Sequence, residues 1–150
     1  MATEWTGRVV VLIVGPPGAG KTTAARASGL QVYDRDDEQW VGEKHFTQAL
    51  TKIGDDRAAQ AVVIRTGATT DARAKTIDLI KPTHKYYIKE SRDECARRIK
   101  QRGRADSIHT LSGLNKWFNS FDALDGIQAF PGWNTISNPE TALGNRSRRW

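Results

Sequence analysis

The chain has 150 residues, a formal charge of +6, a pI near 9.7, 38% hydrophobic and 27% charged residues. That length suits one domain with a real core, and the composition is that of a globular protein with a wet surface, with no internal repeat or low-complexity segment. The longest apolar run, Val9 to Val14, is far shorter than the ~18 residues a membrane helix needs.

Residues 8–14 read as a buried parallel strand: continuous, β-branched and ended by Gly15. The opening segment MATEWTGR carries an acid and no apolar signal region, so a cytoplasmic location is expected. Lys21 to Ser28 reads as a helix of good formers closed by Gly29, with Lys21 in solvent at its start. LQVYD is a short second strand, and a helix follows from Asp37 to about Ile53, with Gly42 as its weak point. A second short helix is expected over Asp55 to Gln60. AVVIRT, residues 61–66, is a third buried strand. The segment 69–81 reads as a helix capped by Thr69 or Thr70, with Asp71 in its first turn and Pro82 beyond its end. KYYIK is a fourth strand, and Ser91 caps a helix that stops at Gly103. LSGLNKWFNSFDAL reads as one more helix, WNTIS as a fifth strand, and the tail from Glu140 as irregular. Strands alternating with helices predict a doubly wound α/β domain with a five-stranded, mainly parallel sheet.

Gly15-Pro16-Pro17-Gly18-Ala19-Gly20-Lys21-Thr22 matches G-x-x-x-x-G-K-[ST] in full, between a hydrophobic strand and a helix. The glycines let backbone N–H groups converge on a phosphate, and the helix start favours the same anion. Lys21 is expected to reach the β- and γ-phosphates, and the Thr22 hydroxyl, beside Thr23, to hold Mg²⁺. The prolines stiffen the loop. A chance glycine-rich turn is the competing reading, and the flanking strand and helix argue against it.

Thirteen residues after Thr23 the second strand ends in Tyr33-Asp34-Arg35-Asp36-Asp37. A carboxylate there sits at the carboxyl edge of a parallel sheet, where ligands bind. It can accept a proton from an attacking hydroxyl or orient the metal's water shell. N-capping is the structural alternative, preferred for Asp37 and not for Asp36.

GPPGAGKTT, a strand, then RDD, then a helix: this order resembles the small P-loop kinases of the adenylate-kinase-like group. It is most similar to the kinase domain of phage polynucleotide kinase, over roughly residues 8–105. The resemblance implies ATP as phosphate donor and Asp36 as the base that deprotonates a 5′-hydroxyl of a nucleic acid. It also implies a lid, approximately residues 97–120, whose arginines contact ATP phosphates; Arg98 and Arg102 of RRIKQRGR fall at the matching positions. Two positions depart from the pattern: Gln39 stands where the family has a substrate-binding arginine, and the third strand ends in Arg65 and Thr66 instead of an aspartate.

Arg65, with Arg35, is a candidate for acceptor phosphate binding; a solvent-exposed strand end is the alternative for Arg65. Arg98 and Arg102 lie one helical turn apart and fit a phosphate clamp, against a plain solvated face. Trp117, Phe118 and Phe121 read as a core stripe or as a base-stacking platform. Asn138, before Pro139, is a candidate for the adenine pocket by analogy with related kinases. Cys95 reads as helix packing, and His45, His84 and His109 with one cysteine form no zinc pattern. The leading expectation is ATP-dependent phosphorylation of a hydroxyl on a nucleic acid. The alternatives are a nucleoside or nucleoside-monophosphate kinase, and a nucleotide-binding regulatory or assembly protein with little turnover.

Overall fold

The computed structural model describes residues 5–36, 39–103 and 105–136. Five strands form one sheet: β1 (Val9–Val14), β2 (Gln31–Asp34), β3 (Gln60–Arg65), β4 (His84–Tyr87) and β5 (Gln128–Ala129). Their order is β2-β3-β1-β4-β5, and every pairing is parallel. The helices are α1 (Lys21–Arg26), α2 (Gly42–Asp55), α3 (Thr70–Ile80), α4 (Arg92–Arg102) and α5 (Ser107–Ser120). This is the doubly wound α/β fold that the βαβ pattern predicts.

β1 is central and buried along its whole length. Its alternate residues serve two cores. Val10, Leu12 and Val14 pack with Phe46, Leu50, Ile53 and Ile80 of α2 and α3. Val9, Val11 and Ile13 pack with Ala25 of α1 and with Val62 and Ile64 of β3. A strand covered on both faces needs a continuous apolar run, which is why VVVLIV does not alternate with polar residues.

Arg8, just before β1, braces the end of the sheet away from the phosphate loop. Its guanidinium donates to the carbonyls of Ile53 and Asp56 at the end of α2 and of Ile80 and Lys81 at the end of α3, at 2.6–3.2 Å. A cation on exposed helix-terminal carbonyls is favourable. The same two helices meet closely at Gly54: a Cβ built there would lie 1.9 Å from the Leu79 carbonyl oxygen.

Arg73 of α3 is 1% exposed. Its Nε and one terminal nitrogen grip both carboxylate oxygens of Asp125, at 3.0 and 2.8 Å. Its remaining donors reach the carbonyls of Gly67 (2.7 Å) and Asp122 (2.8 Å) and the Thr70 hydroxyl (3.3 Å). The segment after α5 is thereby tied to the start of α3.

Several elements differ from expectation. WNTIS is not a strand; Trp133–Thr135 forms a 3-10 turn, and the fifth strand is the two-residue β5 beside β4. The Trp133 indole donates to Ala24 O at 2.7 Å, which fixes that turn against α1. α2 begins at Gly42 (φ 79°), so this glycine opens the helix and does not interrupt it. Asp55 closes α2 and β3 already begins at Gln60, leaving no separate short helix. α5 starts at Ser107 and ends at Ser120, four residues earlier at each end than expected. Thr69, not Thr70, caps α3 by accepting from Ala72 N, while Ser91 caps α4 by accepting from Glu94 N. The expected capping by Asp37 and the tail from Glu140 lie outside the described residues.

Candidate active site

The loop from Gly15 to Gly20 joins β1 to α1 at the carboxyl edge of the sheet. Gly18 (φ 79°) and Gly20 (φ 89°) are left-handed, a conformation that suits glycine. Gly18 has a second constraint: a Cβ there would sit 2.6 Å from the Cys95 carbonyl oxygen of α4. The loop thus rests directly on the backbone of α4. Ala19, Cys95, Ile99 and Leu114 form a small buried core that joins loop, α4 and α5.

A cavity of about 330 Å³ opens over this loop. Residues 16–23 form its floor, Asp34 and Asp36 one wall, and Arg65 and Thr66 another; Arg102, Asp106 and Thr110 close it from the α4–α5 side. The expected loop residues 16–23, Lys21 and Thr22 among them, therefore meet Asp36, Arg65 and Arg102 in one space.

Asp34 is the residue that the sequence reading passed over. The Thr22 hydroxyl donates to its Oδ2 at 3.1 Å. Its Oδ1 accepts the backbone N–H of Asp36, also at 3.1 Å. Strand alternation puts Gln31 and Tyr33 on the α2 face of β2 and Val32 and Asp34 on the α1 face. That signal was present in the sequence, because Asp34 is the last residue of the strand. It places a carboxylate beside Thr22, whereas β3 ends in Arg65.

Lys21 is not in open solvent. Its Nζ donates to the carbonyls of Gly15 (2.6 Å) and Pro16 (3.2 Å). Burial lowers its pKa to about 8, opposed mainly by the nearby carboxylates of Asp34 and then Asp36, while Arg102 reinforces the lowering. An ammonium desolvated in this way is well placed to gain from a phosphate anion.

The two helix arginines part company. Arg102 lines the cavity. Arg98 does not; it pairs with Glu90 (3.1 Å) and Glu94 (3.3 Å) and donates to the Gly18 carbonyl at 3.2 Å. Its charge is shared among two carboxylates, and its contact is with the loop backbone. Arg35 lies outside the cavity wall and holds Glu43 at 2.7 Å. Arg65 approaches the same carboxylate at 3.6 Å and lies over the Phe46 ring at 5.5 Å. Arg35 holds the Glu43 carboxyl below its ordinary range. Asn138 lies outside the described residues.

Trp117 is buried, stacks on Phe121 at 4.8 Å, and donates its indole N–H to Thr66 O at 2.7 Å. The aromatic stripe is core, and it ties α5 to the end of β3. Cys95 is buried, as the packing reading expects. Among the described residues, no three His, Cys, Asp or Glu side chains group to hold a metal by themselves, and no helix is long and apolar enough to cross a membrane.

A G-x-x-x-x-G-K-[ST] loop at the carboxyl edge of a parallel 2-3-1-4-5 sheet, with helices on both faces, is the arrangement of the doubly wound P-loop α/β fold. Solved structures agree. A sugar kinase from Janibacter sp. HTCC2649 is similar over 95% of this chain and 93% of its own, with 17% identity and a TM-score of 0.57. A gluconokinase from Sinorhizobium meliloti 1021 is similar over 81% of each chain, with 16% identity and a TM-score of 0.54. No protein-family model and no curated protein matches the sequence.

Proposed function

We propose that the protein is an ATP-dependent kinase that phosphorylates a hydroxyl group. The observation that carries this reading is the Thr22–Asp34–Asp36 chain of contacts in the same cavity as Lys21 and Arg102. A hydroxyl and a carboxylate 3.1 Å apart suit Mg²⁺, which takes few protein ligands and completes its shell with water and phosphate oxygens. When bound with ATP, the ion would neutralise charge on the β- and γ-phosphates.

In this reading Lys21 and the loop hold the phosphates, and Asp34 orients Thr22 and the metal's water. Asp36 accepts the proton of the acceptor hydroxyl as its oxygen bonds to the γ-phosphorus. The bond from that phosphorus to the bridging oxygen breaks, and ADP leaves. Arg102 stabilises charge on the transferring group. Arg98 acts through the loop as a positioning residue. Arg35 and Arg65, at the rim, are available to an anionic part of the acceptor.

For the acceptor, the resemblance to polynucleotide kinase and the +6 charge favour a hydroxyl of a nucleic acid or nucleotide. A small polyhydroxyl acceptor is the second reading, favoured because similar folds are named gluconokinase and sugar kinase. The test offers labelled ATP with DNA, RNA, nucleosides, nucleotides, sugars and sugar acids. Transfer to polymer or nucleotide supports the first reading, and transfer only to sugars or sugar acids supports the second. Asp36→Asn should lower transfer by roughly 10²–10⁴-fold with ATP binding retained. Wild-type transfer in that variant would remove Asp36 as the base.

A further inference from the structure

A second cavity lies apart from the phosphate loop, between α2 and the edge of the sheet. It holds about 460 Å³, more than the phosphate cavity. β2 is the last strand on that side, and its alternate residues Gln31 and Tyr33 line the space. α2 adds His45, Gln48, Ala49 and Lys52, one face at helical spacing. Trp40, on the segment between β2 and α2, completes an aromatic wall. It stacks on Tyr33 at 6.0 Å and meets His45 edge-on at 5.1 Å.

Trp40 also carries an unmet need. Its Nε1 is the one buried side-chain nitrogen or oxygen without a hydrogen-bond partner among the described residues. Such groups are rare in folded proteins and call for an explanation. The carboxamides of Gln31 and Gln48 bond to no other described side chain or backbone group. Gln60 commits its nitrogen to the carbonyls of Trp5 and Gly7, which leaves its oxygen as an acceptor.

We propose that this cavity binds a flat heteroaromatic ring of the nucleobase class. Aromatic faces stack on bases of any sequence, and carboxamides match the adjacent donors and acceptors of base edges. The Trp40 N–H, which has no partner of its own among the described residues, supplies a donor to a ring carbonyl or ring nitrogen. An aliphatic ligand would leave these polar groups unmet. A simple anion would find Lys52 but also Asp56 in the same wall. The site is separate from the phosphate loop and does not depend on phosphate transfer. It shares the stretch from Tyr33 to Trp40 with Asp34 and Asp36, so a bound base would bear on the segment that carries both carboxylates.

The test uses the whole protein saturated with Mg-ADP, so that the phosphate loop is filled. Adenosine, guanosine, cytidine and uridine are titrated as neutral probes, followed by saturation-transfer NMR. At least one should bind with ADP still in place. Trp40→Phe, which keeps a ring and removes the N–H, should weaken it about tenfold, as should Gln48→Leu on the exposed face of α2. Both variants should keep wild-type ADP affinity. The proposal is overturned if no nucleoside binds beside ADP, or if binding is unchanged in both variants. Because no turnover is read, the kinase reading can fail while this one stands, and the reverse.

Discussion

Replacing Arg73 by Met keeps a long side chain in place and removes the guanidinium. The structure fixes what is lost: a two-point grip on Asp125, carbonyl contacts at Gly67 and Asp122, and a contact to Thr70. The arginine side chain is fully buried and Asp125 is only 13% exposed. Removing one partner of such a pair leaves its counter-charge unpaired, which costs about 3–5 kcal/mol. With an unfolding entropy near 2.1 cal/mol/K per residue, that is a fall in Tm of about 10–15 °C for a domain of this length. The loss should depend on pH. Arg73 holds the Asp125 carboxyl below its ordinary range, with its bond to Ile127 N helping. Asp122 is lowered chiefly by its hydrogen bond from Thr70. A depressed carboxyl pKa gives stability that is present above the unfolded value, about 3.9 for Asp, and is lost as pH falls through the folded value. The gap between wild type and variant should therefore be widest near pH 7 and narrow toward pH 2–3. Adding Asp125→Asn to the variant should recover part of the loss, because the unpaired charge is gone. Thermal and urea melts at several pH values measure all three effects. A Tm change under 3 °C, or a gap that does not vary with pH, would refute the reasoning.

Gly54→Ala should force α2 and α3 apart, since the new carbon would meet the Leu79 carbonyl at 1.9 Å, and lower stability by about 1–3 kcal/mol or more in a denaturant melt. Lys21→Met should lose phosphate transfer yet melt no lower than wild type without nucleotide. With the lysine pKa lowered to about 8, the unfolded chain binds more protons between about pH 8 and 10.5, so this group's contribution makes wild-type stability rise with pH there. Melts across pH 7–10 should show the variant without that contribution. Arg102→Ala should reduce turnover more than ATP affinity, and steady-state kinetics with direct ATP binding separates the two.

The phosphate loop was legible because its signal is contiguous: an apolar strand, spaced glycines and Lys21-Thr22 follow one another within 14 residues. The order of elements was legible for a similar reason, since α3 and α4 carry their own caps, Thr69 and Ser91, and the buried strands β1 and β3 their own apolar runs. What escaped depends on partners far along the chain. Arg73 looks like an ordinary helix surface residue until residues 122 and 125 fold back on it. β5 has only two residues, Gln128 and Ala129, and no apolar run of its own. The WNTIS segment has strand composition, but its tryptophan is claimed by α1. Asp34 and Asp36 lie two residues apart. Asp34 ends β2, a position alternation along the strand could have marked, but its contact with Thr22 depends on how α1 packs.

The contact between Gly18 and Cys95 sets a lever. α4 is pinned to the phosphate loop at Cys95 by backbone packing and at Arg98 by a bond to the Gly18 carbonyl. Arg102 lies seven residues beyond the first of these points, about 10 Å along the axis at 1.5 Å per residue. A pivot of 20° about Cys95 would swing that end of the helix by about 3.5 Å, more than a hydrogen-bond length. The long arginine side chain extends the arm. A tilt of that size would carry the guanidinium away from the cavity and also strain the Arg98 contact with Gly18, so the loop and α4 together fix where Arg102 stands.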